Sequence, residues 1–200
     1  MLDSIKLQHE RYKHLLISLE QIYSDMDHAY TRVARHYGFN CTGCVDNCCF
    51  TLFHHHTLLE YLYLQEGVAT LDLPDQMKIL KKADKVCKKV DESNNIKANT
   101  RILCPLNKDG SCVLYQYRPM ICRLHGLPHE FRKPGMEVIY GSGCNEFVKG
   151  FGKIKYFTFD RTPFYTEIAH LEQELRQLLG FSGKIKMTVA QMLRDVDEIK

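Results

Sequence analysis

Residues 39–56 read FNCTGCVDNCCFTLFHHH, four cysteines within nine positions and then three consecutive histidines. Cys41, Cys44, Cys48 and Cys49 form a C-x2-C-x3-C-C block. Two thiolates at C-x2-C spacing can hold one ion from a single turn, whose backbone N–H groups stabilise their negative charge. Thr42 and Gly43 suit such a turn. The adjacent pair is different. Successive side chains point in different directions, so Cys48 and Cys49 either serve different metal atoms, or one supports a site that the other ligates.

A second group follows some sixty residues on: Cys104, Cys112 and Cys122, with Cys144 further along. Cys87 stands alone at an apolar helix position and reads as a buried, inert thiol. Nine cysteines in 200 residues fit poorly with complete internal pairing, because the count is odd. Hydrophobic residues make up 44% of the chain, enough for a core that needs no disulfide staples. The start, MLDSIKLQHERYKHLL, is amphipathic and interrupted early by acids. It has neither the apolar stretch of a signal peptide nor the length of a membrane span, and no other segment approaches eighteen uninterrupted apolar residues. These features place the chain in the cytoplasm, where thiols stay reduced and clustered cysteines bind metal.

The neighbouring side chains divide by geometry. His54, His55 and His56 would point about 100° apart on a helix, so one ion could hardly take all three, and they read as a helix start on the rim of the site. His125 and His129 closely follow Cys122 and fit hydrogen bonding to a sulfur or to backbone better than ligation. Arg118 and Arg123 flank Cys122. They either offset the negative charge of several thiolates or form a surface salt bridge. Tyr115 is expected to pack over the site. Glu60 reads as a helix-surface acid, with an oxygen ligand as the alternative. Lys78, Lys81, Lys82, Lys85, Lys88 and Lys89 form a basic stripe without arginine or interleaved aromatics, which reads as a solvated face. It makes no convincing nucleic-acid site, and the net charge of +3 names no partner.

Helices must position these groups. Tyr12, Leu15, Leu19, Ile22, Met26, Ala29, Val33 and Tyr37 alternate steps of three and four, predicting a long helix that stops at Gly38. A second helix is expected over His54–Glu66, stopping at Gly67. A third is expected from Asp72–Pro74 to the polar run Asp91–Asn95, with Leu73, Met77, Leu80, Ala83, Cys87 and Val90 on or near its buried side. Residues 96–150 lose helical periodicity. There, RILCPL and SCVLYQY flank NKDG, a strong hairpin signal that would hold Cys104 and Cys112 at the roots of opposing strands. Pro119 suits the first turn of a short helix carrying Cys122. Thr162 as N-cap and Pro163 as first residue open a helix along Phe164, Ile168, Leu171, Leu175 and Leu178 that ends at Gly180. Thr188 and Gln191 form a capping box for a last helix through Met192, Leu193, Val196 and Ile199. The expected fold is mainly α. Residues 1–200 form one domain, with a long N-terminal helix (1–38) and C-terminal helices (151–200) packed around an irregular cysteine-rich metal-binding core with a short β-hairpin (39–150).

CTGCVDNCC, then CPLNKDGSCVLYQYRPMICR, then a late cysteine resembles the YkgJ-type cysteine-cluster family, described as a zinc- or iron-chelating domain and distantly related to flagellin lysine N-methylase. The likeness covers roughly residues 39–145. It is most specific at Cys104, Pro105, Leu106, Gly110, Cys112, Tyr115, Arg118, Pro119, Cys122 and Arg123. One departure is the extra residue before Cys48, where the family pattern has two between cysteines. The resemblance implies metal binding by Cys41, Cys44, Cys48, Cys49, Cys104, Cys112, Cys122 and Cys144. Two groups of four sulfurs fit two tetrahedral Zn2+ ions, or one iron–sulfur cubane with a separate zinc or spare thiols. The Cys104–Pro105 step and the lack of zinc-ribbon symmetry favour iron–sulfur. The role is then structural, sensory or redox, with helices that could face a protein partner. Metal storage or delivery is another reading. A methyltransferase-like enzyme is the alternative, although no Gly-rich loop follows a strand and no C-x3-C-x2-C triplet is present. No substrate and no oligomeric state can be read from the chain.

Overall fold

The structure is a computed structural model that describes residues 2–41, 48–93 and 101–194. Helices α1 (Leu2–Lys6) and α2 (His9–Tyr37) open the chain. The spacing-predicted seam of α2 is buried at Tyr12, Leu15, Leu19, Ile22, Met26, Val33 and Tyr37. Gly38 ends the helix at φ 67°, its N–H on the Arg35 carbonyl and the Phe39 N–H on that of Ala34. Among the described residues no helix is long and apolar enough to cross a membrane.

Helix α3 (Leu58–Ala69) lies at the centre, and it corrects the expected second helix at both ends. Its sequence, LLEYLYLQEGVA, is apolar nearly all round, the mark of a helix covered on every side. Leu58, Leu59, Tyr61, Leu62 and Leu64 are almost fully buried, each leucine contributing about 1.5–3 kcal/mol. The helix starts at Leu58, not His54, because two acceptors gather there. The Thr57 hydroxyl accepts the Glu60 N–H, and the Glu172 carboxylate accepts the Leu58 and Leu59 N–H groups at 2.9 Å each. His54, His55 and His56 lie before the helix, and His55 exchanges two backbone hydrogen bonds with Met187.

Gly67 does not stop α3. It is buried inside the helix, and a Cβ there would sit 2.4 Å from Cγ of Tyr117. Gly67→Ala is therefore expected to destabilise the protein. Overpacking costs about 1–3 kcal/mol, against a helix-propensity gain of at most about 1. Urea unfolding at equilibrium would read a net loss of about 1–2 kcal/mol, and a neutral or stabilising result would contradict the packing.

Helix α4 (Leu73–Ser93) begins where expected, but its seam is rotated. Ile79, Ala83, Val86 and Cys87 are buried, whereas Leu73, Met77 and Leu80 are exposed. Helix α8 (Val189–Arg194) packs against α4. The six lysines of the stripe are exposed. The middle of the chain holds more regular structure than its composition suggests. Strands β1 (Asn107–Lys108) and β2 (Ser111–Cys112) pair around Asp109 and Gly110, both at positive φ, as the NKDG signal predicts. A 3-10 turn (Tyr115–Tyr117) and α5 (Met120–Leu124) follow. The sequence reading missed a second ribbon, β3 (His129–Arg132) with β4 (Val138–Gly141), and helix α6 (Asn145–Phe151). Pro134–Gly135 was the available turn signal for that ribbon.

Helix α7 (Thr162–Leu179) ends before Gly180 as expected, but Arg161, not Thr162, occupies its cap position. The Thr188–Gln191 capping box opens α8, with Thr188 N–H on Gln191 Oε1 at 2.8 Å. Val196, Ile199 and the run after Ser93 lie outside the described residues. Helix α2 packs against α7 and α5, and α3 packs against α2, α7, α8 and the Tyr115–Tyr117 turn. The fold is thus mainly helical, with N- and C-terminal helices packed together and two short ribbons.

Candidate functional site

Seven of the eight predicted ligands line one cavity of about 530 Å³: Cys41, Cys48, Cys49, Cys104, Cys112, Cys122 and Cys144. Cys44 lies outside the described residues. Cys87 is buried between α4 and α8, away from this cavity. None of the eight described cysteines is in a disulfide.

Short backbone links bring these segments together. Cys48 and Cys49 start a 3-10 turn (Cys48–Phe50), and the Cys49 carbonyl accepts the Cys104 N–H at 2.8 Å. The Cys104 carbonyl accepts the Asn107 N–H at 3.0 Å, and Asn107 faces Cys112 across the first ribbon. Cys104 therefore sits in the turn that enters the hairpin, not in β1 itself. Cys122 rides on α5, whose first N–H, that of Met120, donates to Glu60 at 2.8 Å. Cys144 caps α6: its sulfur accepts the Phe147 N–H at 3.4 Å and its own N–H donates to Gly126. Gly143 permits this approach, since a Cβ there would lie 2.5 Å from the Gly126 carbonyl.

Arg118 and Arg123 are not a surface salt bridge. Both are buried, and both converge on Asp27 of α2, at 3.0 and 2.6 Å. Arg118 also donates to the Tyr115 carbonyl and Arg123 to the carbonyls of Arg118 and Gln116. The pair thus fastens the segment between Cys112 and Cys122 onto α2. Two guanidinium groups share one carboxylate, leaving net positive charge on the cavity wall. Tyr115 lines the cavity but is 56% exposed, its ring 3.6 Å from the Arg118 guanidinium.

Glu60 corrects its surface assignment. It is 5% exposed and accepts from the Tyr23 hydroxyl, the Thr57 hydroxyl and Met120 N–H. It is a joint between α2, α3 and the helix that carries Cys122. Of the histidines, His55 and His125 line the cavity. His54 and His56 are exposed. The ring of His129 is 3.2 Å from the Leu127 carbonyl, a backbone contact as expected. The sequence reading missed Asp27 and Tyr30, which also line the cavity. Two arginines five residues apart were the available hint that a carboxylate faced them.

Burial raises three of the cavity thiols, Cys104, Cys112 and Cys122. It pushes Cys104 up to about 12, although the Leu106 and Asn107 N–H groups favour its thiolate. Cys122 is raised by burial and then by the neighbouring thiols Cys104, Cys112 and Cys49. Cys112 is also raised by burial, against the Leu114 N–H, Arg118 and Arg123. Cys48 and Cys49 share a hydrogen bond that moves Cys48 up and Cys49 down.

Comparison with protein-family models, curated proteins and solved structures returns no match. The chemistry of the site therefore stands on its own residues. Among the described residues no group of three or more His, Cys, Asp and Glu side chains is arranged to hold a metal ion as it stands. The thiols surround a common space without closing on one point.

Proposed function

We propose that this chain is a cytoplasmic metal-binding protein of the YkgJ type, holding an iron–sulfur cluster, zinc or both through its clustered cysteines. The observation that carries the reading is the gathering of seven cysteines, none in a disulfide, from distant segments around one cavity. Structural thiols scattered through a core would not share a space in this way. The donor set fits a thiophilic metal: sulfur ligands, backbone N–H groups near Cys104 and Cys112, and arginines beside the cavity. A bound metal would supply charge and coordination that draw the sulfurs inward, and it would displace thiol protons. Cys44 belongs to the ligand set by spacing alone.

The cavity supports a second reading, an enzyme related to flagellin lysine N-methylase. A closed structural site leaves no room beside the metal, whereas 530 Å³ lies in the range of small-ligand pockets. Calorimetric titration of the metal-loaded chain with S-adenosylmethionine decides between the two, since only the enzyme reading expects binding.

The main test is anaerobic purification followed by visible absorption and assay of iron, sulfide and zinc. Metal bound to the purified chain is expected, with Cys104→Ser and Cys112→Ser losing it and Cys87→Ser retaining it. A folded, metal-free protein would overturn the reading.

A further inference from the structure

Strand β4 has one covered edge and one open edge. On the covered edge it pairs with β3, Glu130 standing opposite Tyr140 and Arg132 opposite Val138. Glu130 turns its backbone the other way: its N–H donates to the Phe159 carbonyl and its carbonyl accepts the Arg161 N–H, at 3.0 Å each. The Arg132 N–H likewise donates to the Thr162 hydroxyl at 2.9 Å. In an antiparallel pair, opposed residues either both bond across the pair or both turn their backbone groups away from it. The N–H and carbonyl groups of Val138 and Tyr140 therefore point outward, where among the described residues no further strand pairs with β4. Natural edge strands are blunted by charge, proline or a bulge. This one, VIYG, is strand-forming and uncharged, with Ile139 and Tyr140 exposed.

The surface beside the edge has a pocket and a charge. The pocket, of about 200 Å³, lies beyond the end of β4 and is lined by Ser142, Phe147, Phe151, Ile154 and Tyr156 among others. Tyr156 connects the two, its ring edge-on to that of Tyr140 with centroids 6.2 Å apart. Residues 131–158 carry Arg132, Lys133, Lys149, Lys153 and Lys155 against Glu137 and Glu146. That balance of five against two equals the net charge of the whole chain, +3, so the rest of the chain is neutral. Lys153 and Lys155, on either side of Ile154 in sequence, are exposed.

From the open backbone, the apolar pocket and the charge, we propose that β4 docks an extended, acidic segment of a partner protein as an added strand, with one apolar side chain in the pocket beside Tyr156. Main-chain hydrogen bonds to Val138 and Tyr140 supply affinity, and the pocket and the basic rim supply selectivity. A second copy of this chain fits less well, because pairing β4 with itself brings two basic surfaces together. None of these edge and pocket residues lines the cysteine cavity, so the proposal stands apart from metal binding.

The full chain provides the test. The probe is a short fluorescent synthetic peptide that alternates aspartate with valine and phenylalanine, and its counterpart with lysine in place of aspartate. Binding is followed by anisotropy, and amide hydrogen exchange is read residue by residue by NMR. In the free chain the Val138 and Tyr140 amides should exchange faster than that of Ile139, which bonds across the ribbon. The acidic peptide should bind and slow both, while the basic peptide should not bind. Val138→Pro removes one outward donor at the first residue of an edge strand, where proline is tolerated. It should weaken binding roughly tenfold, the scale of one lost hydrogen bond. Lys153→Glu with Lys155→Glu should weaken it as well. Absence of binding at about 1 mM acidic peptide would overturn the proposal. So would equal binding of the basic peptide, or binding that leaves the Val138 and Tyr140 amides unchanged. Protection of these amides that grows with protein concentration and needs no peptide would assign the edge to a second copy and overturn it too. The exchange measurement uses the unaltered chain, so misfolding of a variant does not obscure the outcome.

Discussion

Asp27→Ala is expected to cost about 3 kcal/mol of stability and to lower Tm by roughly 10 °C for a chain of this size. The carboxylate balances two buried guanidinium groups, whose side chains are 11% and 2% exposed for Arg118 and Arg123. Removing one partner of a buried pair leaves charge that water cannot reach, which typically costs about 3–5 kcal/mol. The low end applies because the Asp27 side chain is itself 34% exposed and partly screened. The variant also frees the segment from Tyr115 to Arg123, which joins the carriers of Cys112 and Cys122. Urea denaturation of Asp27→Ala, alone and with Arg123→Met, separates the pair from general damage. A coupling of at least about 1 kcal/mol is expected between sites in direct contact. A loss below about 1 kcal/mol for Asp27→Ala would place the three groups among ordinary surface pairs.

The parts of this fold that were legible are those set by neighbours in sequence. The α2 seam, its glycine stop, the NKDG turn and the Thr188–Gln191 box each need only a few residues and their backbone preferences. Cysteine spacing was legible for the same reason: it reports candidate ligands before any fold is known. What escaped depended on distant partners. The start of α3 is set by Glu172, more than a hundred residues away, and its interior glycine by Tyr117. Leu73, Met77 and Leu80 fit a helical seam as well as Ile79 and Val86 do, and only the position of α8 decides between them. Asp27 and Glu60 look like solvated helix acids until Arg118 and α5 with its Arg123 are laid over them.

Stripping metal from the loaded protein is expected to lower stability by about 4 kcal/mol, measured where free metal had stood a thousandfold above its Kd. That corresponds to a fall in Tm of roughly 10 °C. The helical content should nevertheless survive, which distinguishes this chain from small zinc domains that unfold without their ion. The reason lies in where the core sits. Helices α2, α3 and α7 bury Leu15, Leu19, Met26, Leu58, Leu62 and Leu175 against one another, and none of these lines the cysteine cavity. Loss of metal removes the bonds that draw the cysteine segments inward but leaves that packing intact. Far-UV circular dichroism before and after chelation should therefore show a nearly unchanged helical spectrum, while thermal melting followed by the same signal shifts downward. Collapse of the helical signal at room temperature would mean that the metal, not the apolar core, organises the fold. An unchanged melting temperature would mean that the thiols hold nothing that matters to stability.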